Sequence, residues 1–193
     1  MKLSKKIFLS FTLYLFISPV FANQKYFQET EVRATQGNVK SQYNLGVMYW
    51  KGQDVAQSYI QAFEWFAKAA AQGDIDSQFN LGLMYSKGLG VTQNDAKAFE
   101  WYSKAASHGH VYAQNTIGGK YQKGLGVTQS NIKAFEWYSK AAAQGDAYAQ
   151  YNLAEMYKSG QGVTQNNAKA FEWYSKAADQ GHAQAKLMLA RLQ

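Results

Sequence analysis

The sequence predicts an all-α fold, a right-handed α-solenoid of stacked helical hairpins. A motif recurs every 36 residues with no insertion or deletion, as five glycines show: Gly37, Gly73, Gly109, Gly145 and Gly181. Each period holds two apolar patterns with helical spacing, and a glycine-rich turn separates them. A period of this length is typical of solenoids, whose units each bury an apolar face against a neighbour.

The first 22 residues have the pattern of a secretory signal peptide. Three lysines lie within the first six residues, an almost wholly apolar stretch spans 7–17, and Val20-Phe21-Ala22 places small residues at the −3 and −1 positions. A membrane anchor is the alternative, but the apolar run of 15 residues over 7–21 is shorter than the roughly 20 that a spanning helix needs. We therefore expect cleavage after Ala22, no stable membrane span afterwards, and a periplasmic or secreted bacterial protein.

Composition narrows the possible partners and compartments. The 193 residues include no cysteine, which excludes a lipid-anchored precursor and disulfide bonds. The formal net charge is +7, and loss of the three lysines of the signal segment lowers it to +4. The basic residues form no run or stripe, so nucleic acid is not an expected partner.

The period divides the rest of the chain into six segments. These are an N-terminal capping helix, four units of 36 residues and a C-terminal capping helix. In order, they span 23–36, 37–72, 73–108, 109–144, 145–180 and 181–193. Each terminal segment aligns with one helix of a unit, because the end of a solenoid has a neighbour on one side only.

The second unit shows the apolar pattern of both helices. The face of its first helix consists of Ser77, Leu81, Met84 and Tyr85. The face of its second helix consists of Ala98, Trp101, Tyr102, Ala105 and Ala106. Small alanines opposite large aromatic rings favour a close-packed hairpin. The recurring phenylalanines, which we expect to pack under the neighbouring unit, are Phe63, Phe99, Phe135 and Phe171.

Capping residues indicate the helix boundaries. The residues before the four second helices are Ser58, Asn94, Ser130 and Asn166. All four are good N-caps, and glycine follows the helices as a C-terminal cap. Every second helix carries Glu and Lys at i and i+4, beginning with Glu64 and Lys68, which predicts surface ion pairs. The third unit has Lys120 where the others have methionine, so we expect its first helix to be the most loosely packed.

Four motifs in fixed register resemble the Sel-1-like repeat family: LGLMY at 81–85, KGLGV at 87–91, KAFEWY at 97–102 and KAA at 104–106. That family is related to the tetratricopeptide repeat, and the resemblance extends over all four units and half a unit at each end. It implies hairpins of the tetratricopeptide-repeat type and a concave surface lined by the first helices. It also implies adaptor roles in envelope assembly or host contact.

The candidate catalytic and metal-binding residues have a simpler explanation in the repeat. His108 and His110 flank Gly109, but no third ligand lies at a suitable spacing, so we expect no metal site and no cofactor. Ser130 and Lys133 have the Ser-x-x-Lys spacing of penicillin-recognising enzymes, and some cysteine-rich relatives have been described as β-lactamases. Ser130 nevertheless occupies the N-cap position of its unit, and the partner motifs of those enzymes are missing. We therefore predict a protein that is not an enzyme.

The residues that vary between units lie on the face of each first helix turned away from the apolar stripe. Aromatic side chains and lysines are frequent there, as in surfaces that bind proteins or peptides. The candidate partner-binding residues are Tyr43, Val47, Trp50, Lys51, Phe79, Leu83, Lys87, Tyr112, Asn115, Tyr148, Tyr151, Glu155 and Lys158. For Tyr112 and Tyr148, packing between units is an equally good explanation. We expect alanine at Trp50 and Phe79 to abolish binding without changing the melting temperature.

The predicted function is an exported, non-enzymatic scaffold that binds a partner protein or peptide on the concave face of the array. Two alternatives remain: a hydrolase acting on cell-wall material or β-lactams, and a secreted effector directed at a host. Turnover of nitrocefin or peptidoglycan distinguishes the hydrolase, and the location of the processed protein distinguishes the effector.

Overall fold

The computed structural model describes residues 19–192, which form ten α-helices in one continuous array. The helices are α1 Pro19–Thr35, α2 Val39–Lys51, α3 Tyr59–Ala71, α4 Ile75–Lys87, α5 Asp95–Ser107, α6 Val111–Lys123, α7 Asn131–Ala143, α8 Ala147–Ser159, α9 Asn167–Asp179 and α10 Ala183–Leu192. This part of the chain contains no β-strand. Each helix packs against its neighbours in sequence. The predicted all-α solenoid of helical hairpins is confirmed. The predicted signal peptide lies outside the described residues except for 19–22, which begin α1.

Each unit is a hairpin of a first helix and a second helix: α2 with α3, α4 with α5, α6 with α7, and α8 with α9. In the second unit, Leu81 and Met84 of α4 are buried in a cluster with Phe66 of the preceding α3, and Ala98 and Tyr102 of α5 are buried in a cluster with Ile117 of the following α6. Gly82 lies beside the Tyr102 ring, where a Cβ atom would come within 2.7 Å of a ring carbon. The absence of a side chain at this position therefore lets the two helices approach closely.

Capping groups define where the helices begin and end. Each second helix begins after a side-chain cap, as where the Asn94 side chain accepts the Lys97 N–H at 2.9 Å. Each first helix of the four units ends at a glycine with left-handed backbone, such as Gly88 at φ 70°. The N-cap residues predicted for the second helices are therefore confirmed. They satisfy backbone N–H groups that a helix start leaves without a partner.

Neighbouring units are joined by a ladder of aromatic pairs. A phenylalanine of one second helix meets a tyrosine of the next first helix edge-on, with ring centroids 5.2–5.4 Å apart. The pairs are Phe63 with Tyr85, Phe99 with Tyr121, and Phe135 with Tyr157. The predicted packing of these phenylalanines under the neighbouring unit is therefore confirmed for three of the four. Phe171 differs, because this residue is 44% exposed.

The lysines of the second helices pair differently from the prediction. Of the four predicted Glu–Lys pairs, only Glu172 with Lys176 lies within ion-pair distance, at 2.6 Å. In all four units, including that of Lys176, the lysine places its ammonium group 3.8–4.1 Å from the centroid of the tryptophan ring three residues earlier. A cation over an indole face is attracted by the ring quadrupole. The prediction of four surface ion pairs is therefore wrong for three units.

Lys120 is a packed, buried side chain in the third unit. Its side chain is only 6% exposed, and its Nζ atom lies 2.9 Å from Oδ1 of Asp95 in the preceding unit. The lysine thus fills the space that methionine fills elsewhere and pairs its charge across the interface between units. The expectation that the packing here lacks a large side chain is wrong.

Candidate functional site

The predicted binding residues share one accessible surface of the array. All thirteen lie on α2, α4, α6 and α8, and each is exposed or half-buried. We call the accessible side of these four helices the first-helix surface. The buried positions repeat from unit to unit, whereas those on the first-helix surface change. At one such position the successive residues are Trp50, Ser86, Gln122 and Lys158.

A pocket opens on this surface between the first and second units. Its volume is about 180 Å³, and its lining consists of Tyr43, Val47, Trp50, Lys51, Phe66 and Asn80. Four of these residues were predicted from the sequence, and Phe66 and Asn80 were missed. Asparagine recurs at the position of Asn80, as in Asn44, so variation between units does not indicate it. The signal for Phe66 is that the other units have tyrosine there.

Three aromatic residues at one repeat position combine exposure with packing. The Tyr43 ring is tilted against Phe66 with centroids 6.0 Å apart, and Phe79 stands 5.5 Å from Tyr102 in the same way. Phe79 also stacks on the His110 ring of the next unit at 4.5 Å, and Tyr151 repeats both contacts in the fourth unit. These rings therefore contribute to the interfaces between helices and between units.

Trp50 is likewise held by other rings, with centroids 5.4 Å from Tyr59 and 6.3 Å from Phe66. Removing a half-buried aromatic ring forfeits packing as well as any contact with a partner. These contacts argue against the expectation that alanine at Trp50 and Phe79 leaves the melting temperature unchanged, and a lower melting temperature is the outcome that the packing predicts. Binding variants at these positions therefore need a separate measurement that verifies the fold.

Tyr112 and Tyr148 are the most accessible aromatic residues of the predicted set. Their exposed fractions are 64% and 65%, and each forms a T-shaped pair with a histidine ring, His110 and His182 respectively. Packing between units therefore accounts for a small part of either side chain. Both rings remain available on the surface.

Polar residues of the third and fourth units are tied into the array. The Asn152 side chain donates to Asn115 Oδ1 at 3.2 Å, which links α8 to α6. The Tyr174 hydroxyl donates to a carboxylate oxygen of Glu155, and burial together with this bond raises the tyrosine pKa. The Lys158 ammonium lies 3.8 Å from the Met188 sulfur. These side chains are less free to meet a partner than those of the first two units.

Charges are distributed unequally along the first helices. Lys51, Lys87 and Lys123 stand at the C-terminal ends of α2, α4 and α6, and none forms an ion pair with a residue in 19–192. On α4 the carboxylates lie at the opposite end, where Asp74 caps the helix and Asp76 lies 3.6 Å from His110. The edge with the lysines is therefore the basic edge of the first-helix surface.

The candidate catalytic and metal-binding residues have structural roles in the array. Ser130 Oγ accepts the Lys133 N–H at 3.3 Å as the cap of α7, while the Lys133 ammonium lies over the Tyr121 ring. His108 Nδ1 donates to the Lys104 carbonyl at 2.8 Å. Within residues 19–192, no three His, Asp or Glu side chains are grouped as a metal site requires.

The comparison with protein families identifies the repeat. The model of the Sel1 repeat matches four consecutive segments, 39–74, 75–110, 111–146 and 147–182. The chain belongs to the Sel1 repeat family. The family model begins each unit two residues after the glycine-based division used above. Sel1 repeat proteins generally mediate protein–protein interactions.

Solved structures of other Sel1 repeat proteins have the same architecture. A protective antigen present in uropathogenic Escherichia coli strains, described as having an SLR fold, is 36% identical with a TM-score of 0.86, and the match covers 89% of this chain and 37% of that one. A Sel1 repeat protein from Oxalobacter formigenes is 37% identical with a TM-score of 0.81, covering 89% and 49%. The present chain thus spans less than half the length of both relatives.

A more distant structure shows the shared fold alone. The cysteine-rich protein B of Helicobacter pylori is 24% identical with a TM-score of 0.55, and the match covers 69% of this chain and 96% of that one. A comparison with curated proteins finds no match. Within the described range of this Sel1 repeat protein, no helix has the length and apolar character needed to traverse a bilayer.

Proposed function

We propose that this Sel1 repeat protein is an exported, non-enzymatic scaffold that binds a protein or peptide partner on its first-helix surface. The observation that carries the proposal is the contrast between the two sides of the first helices. With the exception of Lys120, buried positions repeat in kind, whereas several accessible positions change between aromatic, aliphatic, polar and charged residues. Variation confined to the accessible side of a rigid array is what a specific binding surface requires.

Export is proposed from two observations. Residues 1–22 have the pattern of a cleavable signal peptide. In addition, the 36% identical Escherichia coli protein is a protective antigen, a role that is compatible with a place outside the cytoplasm. The mature protein would then act in the periplasm, in the medium or, as an effector, in contact with a host cell. The hydrolase alternative gains no support from Ser130, whose hydroxyl caps a helix.

Site-specific crosslinking tests the binding surface. A photo-crosslinking amino acid replaces Val47 or Leu83 on the first-helix surface, and Glu64 or Glu100 on the exposed face of the second helices as matched controls. We expect the same partner to be trapped from both first-helix positions in living cells and from neither control. Equal trapping from all four positions, or trapping from the second helices alone, contradicts the proposal.

Fractionation of the same cells tests export. The processed protein is expected outside the cytoplasm, with an N-terminus at Asn23 when its mass is measured. Recovery of the uncut chain in the cytoplasm would contradict the export proposal and leave the binding surface unaffected.

A further inference from the structure

The pocket between the first and second units exists because the first unit departs from the repeat at two positions together. Phe66 replaces the tyrosine of the other units, and Trp50 replaces a polar or charged residue. In the third unit the corresponding pair is polar, since the Tyr138 hydroxyl donates to Gln122 at 3.1 Å. Without the hydroxyl, the indole and phenyl rings pack together and form an apolar wall.

The size of the pocket selects the kind of occupant. Its volume of about 180 Å³ is below the roughly 300–1,000 Å³ of pockets that enclose small molecules. A single apolar side chain, inserted from a longer segment, suits such a space. Tyr43 and Val47 complete the apolar lining. The rings of Tyr43 and Trp50 pack against Phe66, and Trp50 also packs against Tyr59. The pocket is therefore already formed in the absence of a partner.

The polar groups of the pocket select the charge of the occupant. Lys51 supplies the charge of the lining, Asn80 an amide and Tyr43 a hydroxyl, and Lys87 lies at the position equivalent to Lys51 one unit along. Neither lysine forms an ion pair within the described residues. On α4, Asp74 accepts the Ser77 N–H at 2.7 Å and Asp76 lies 3.6 Å from His110.

A lysine at the end of a helix is also favoured by the helix dipole. That effect is worth about 0.3–1 kcal/mol and leaves the ammonium group in solvent. It accounts for the position of Lys51 and Lys87 on their helices, and the unpaired charge remains available to a ligand. The positive charge beside an apolar pocket is therefore complementary to an acidic segment that carries an apolar side chain.

We infer that the pocket binds one apolar side chain of an extended, acidic peptide segment, whose carboxylates pair with Lys51 and Lys87. The Asn80 amide is placed to bond with the peptide main chain beside that side chain. This inference rests on the proposed function and names the chemistry of the partner. It distinguishes the first two units from the rest of the array by Trp50 and Phe66, which no other unit has at these positions.

Fluorescence anisotropy with three labelled peptides tests the inference. One peptide has a leucine between pairs of glutamates, a second has the leucine replaced by glycine, and a third has lysines in place of the glutamates. We expect the first to bind the purified protein, and the other two to bind roughly tenfold or more weakly. Binding of the first peptide should also weaken as salt rises, because the ion pairs are exposed.

Charge reversal provides the decisive variants. With Lys51→Glu and Lys87→Glu combined, the preference between the acidic and basic peptides is expected to reverse. The matched control, Lys104→Glu with Lys140→Glu on the second helices, is expected to retain the wild-type preference. Trp50→Ser, which introduces the residue of the second unit, should remove the difference between leucine and glycine while circular dichroism verifies the fold.

Three results would overturn the inference: equal binding of the acidic and basic peptides, an unchanged preference after charge reversal, or no binding of the acidic peptide. If the crosslinking at Val47 and Leu83 succeeds nonetheless, the proposed function stands and only the partner chemistry is wrong. If the crosslinking fails as well, both are wrong.

Discussion

The ammonium group of Lys120, near the end of α6, lies 2.9 Å from a carboxylate oxygen of Asp95 at the start of α5. The lysine side chain is only 6% exposed, whereas 39% of the aspartate side chain is exposed. The interface between the third and fourth units has Met156 and Asn131 at the equivalent positions. One interface between units therefore replaces an apolar contact with a charged one, and both members of the pair change together.

Removing Asp95 is expected to destabilise the protein because a largely buried ammonium group loses its partner. Asp95→Ala should lower the free energy of unfolding by about 2–3 kcal/mol, measured by urea denaturation. The double variant Lys120→Met with Asp95→Asn copies the interface between the third and fourth units and should stay within about 1 kcal/mol of wild type. If Asp95→Ala costs as much in a Lys120→Met background as in wild type, the pair is not coupled.

A second prediction concerns a hydrogen bond that one unit lacks. Glutamine side chains 30 residues apart bridge the first helix and the end of the second helix in three units, with distances of 2.7–2.8 Å. In the second unit His108 stands where the bridging glutamine would be, and Oε1 of Gln78 is buried without a hydrogen-bond donor from residues 19–192. His108→Gln should restore the bridge and raise the free energy of unfolding by about 1 kcal/mol.

The reverse substitution is the matched control. Gln144→His removes the bridge to Gln114 in the third unit and is expected to lower the free energy of unfolding by a similar amount. Opposite shifts of about 2–4 °C in melting temperature would agree with this account. Shifts of the same sign for both variants would contradict it.

The aromatic ladder predicts different costs for equivalent phenylalanines. Phe99 packs edge-on against Tyr121 at 5.2 Å, whereas Phe171 is 44% exposed. Phe99→Ala should therefore lower the free energy of unfolding by roughly 2–3 kcal/mol, and Phe171→Ala by less than about 1 kcal/mol. Urea denaturation of both variants measures the difference. Equal costs would show that the ladder adds nothing to the coupling between units.

Much of the fold follows from the repeat itself. A fixed period, apolar faces with helical spacing and an N-cap before each second helix predict the hairpins, and the recurrence of Phe63 predicts its packing against the next unit. Side-chain partners are harder to predict, because spacing places several groups within reach of one lysine. Lys68 illustrates this, since Glu64 and Trp65 are both neighbours on the helix. Its ammonium group lies over the Trp65 ring.

The candidate site was predictable as a surface and less so as a pocket. Variation between units locates the accessible side of the first helices, where all thirteen candidates lie. The pocket also needs Asn80, whose position recurs, and Phe66, which comes from the second helix and is buried. The pocket is lined both by residues that vary between units and by residues that recur. Variation between units therefore identifies only part of its lining.

The last prediction concerns pH. The neutral ring of His110 caps α6 through Nδ1, which accepts the Ala113 N–H at 3.1 Å, and the ring stacks on Phe79. A protonated Nδ1 could not accept that bond. Burial lowers the His110 pKa below its ordinary value of 6.5, although Asp76 beside Nε2 opposes the shift. The folded state therefore favours the neutral ring.

Well above pH 6.5 the ring is neutral in both the folded and the unfolded chain, so it adds no pH dependence there. As the pH falls through this value, the unfolded chain binds a proton that the folded chain resists, and the free energy of unfolding decreases until the folded pKa is passed. His110→Asn keeps a capping side chain, since Asn38 caps α2 in this way. Urea denaturation at pH 7.5 and 5.5 should show a smaller loss for this variant than for wild type, and an equal loss would exclude His110 as the source.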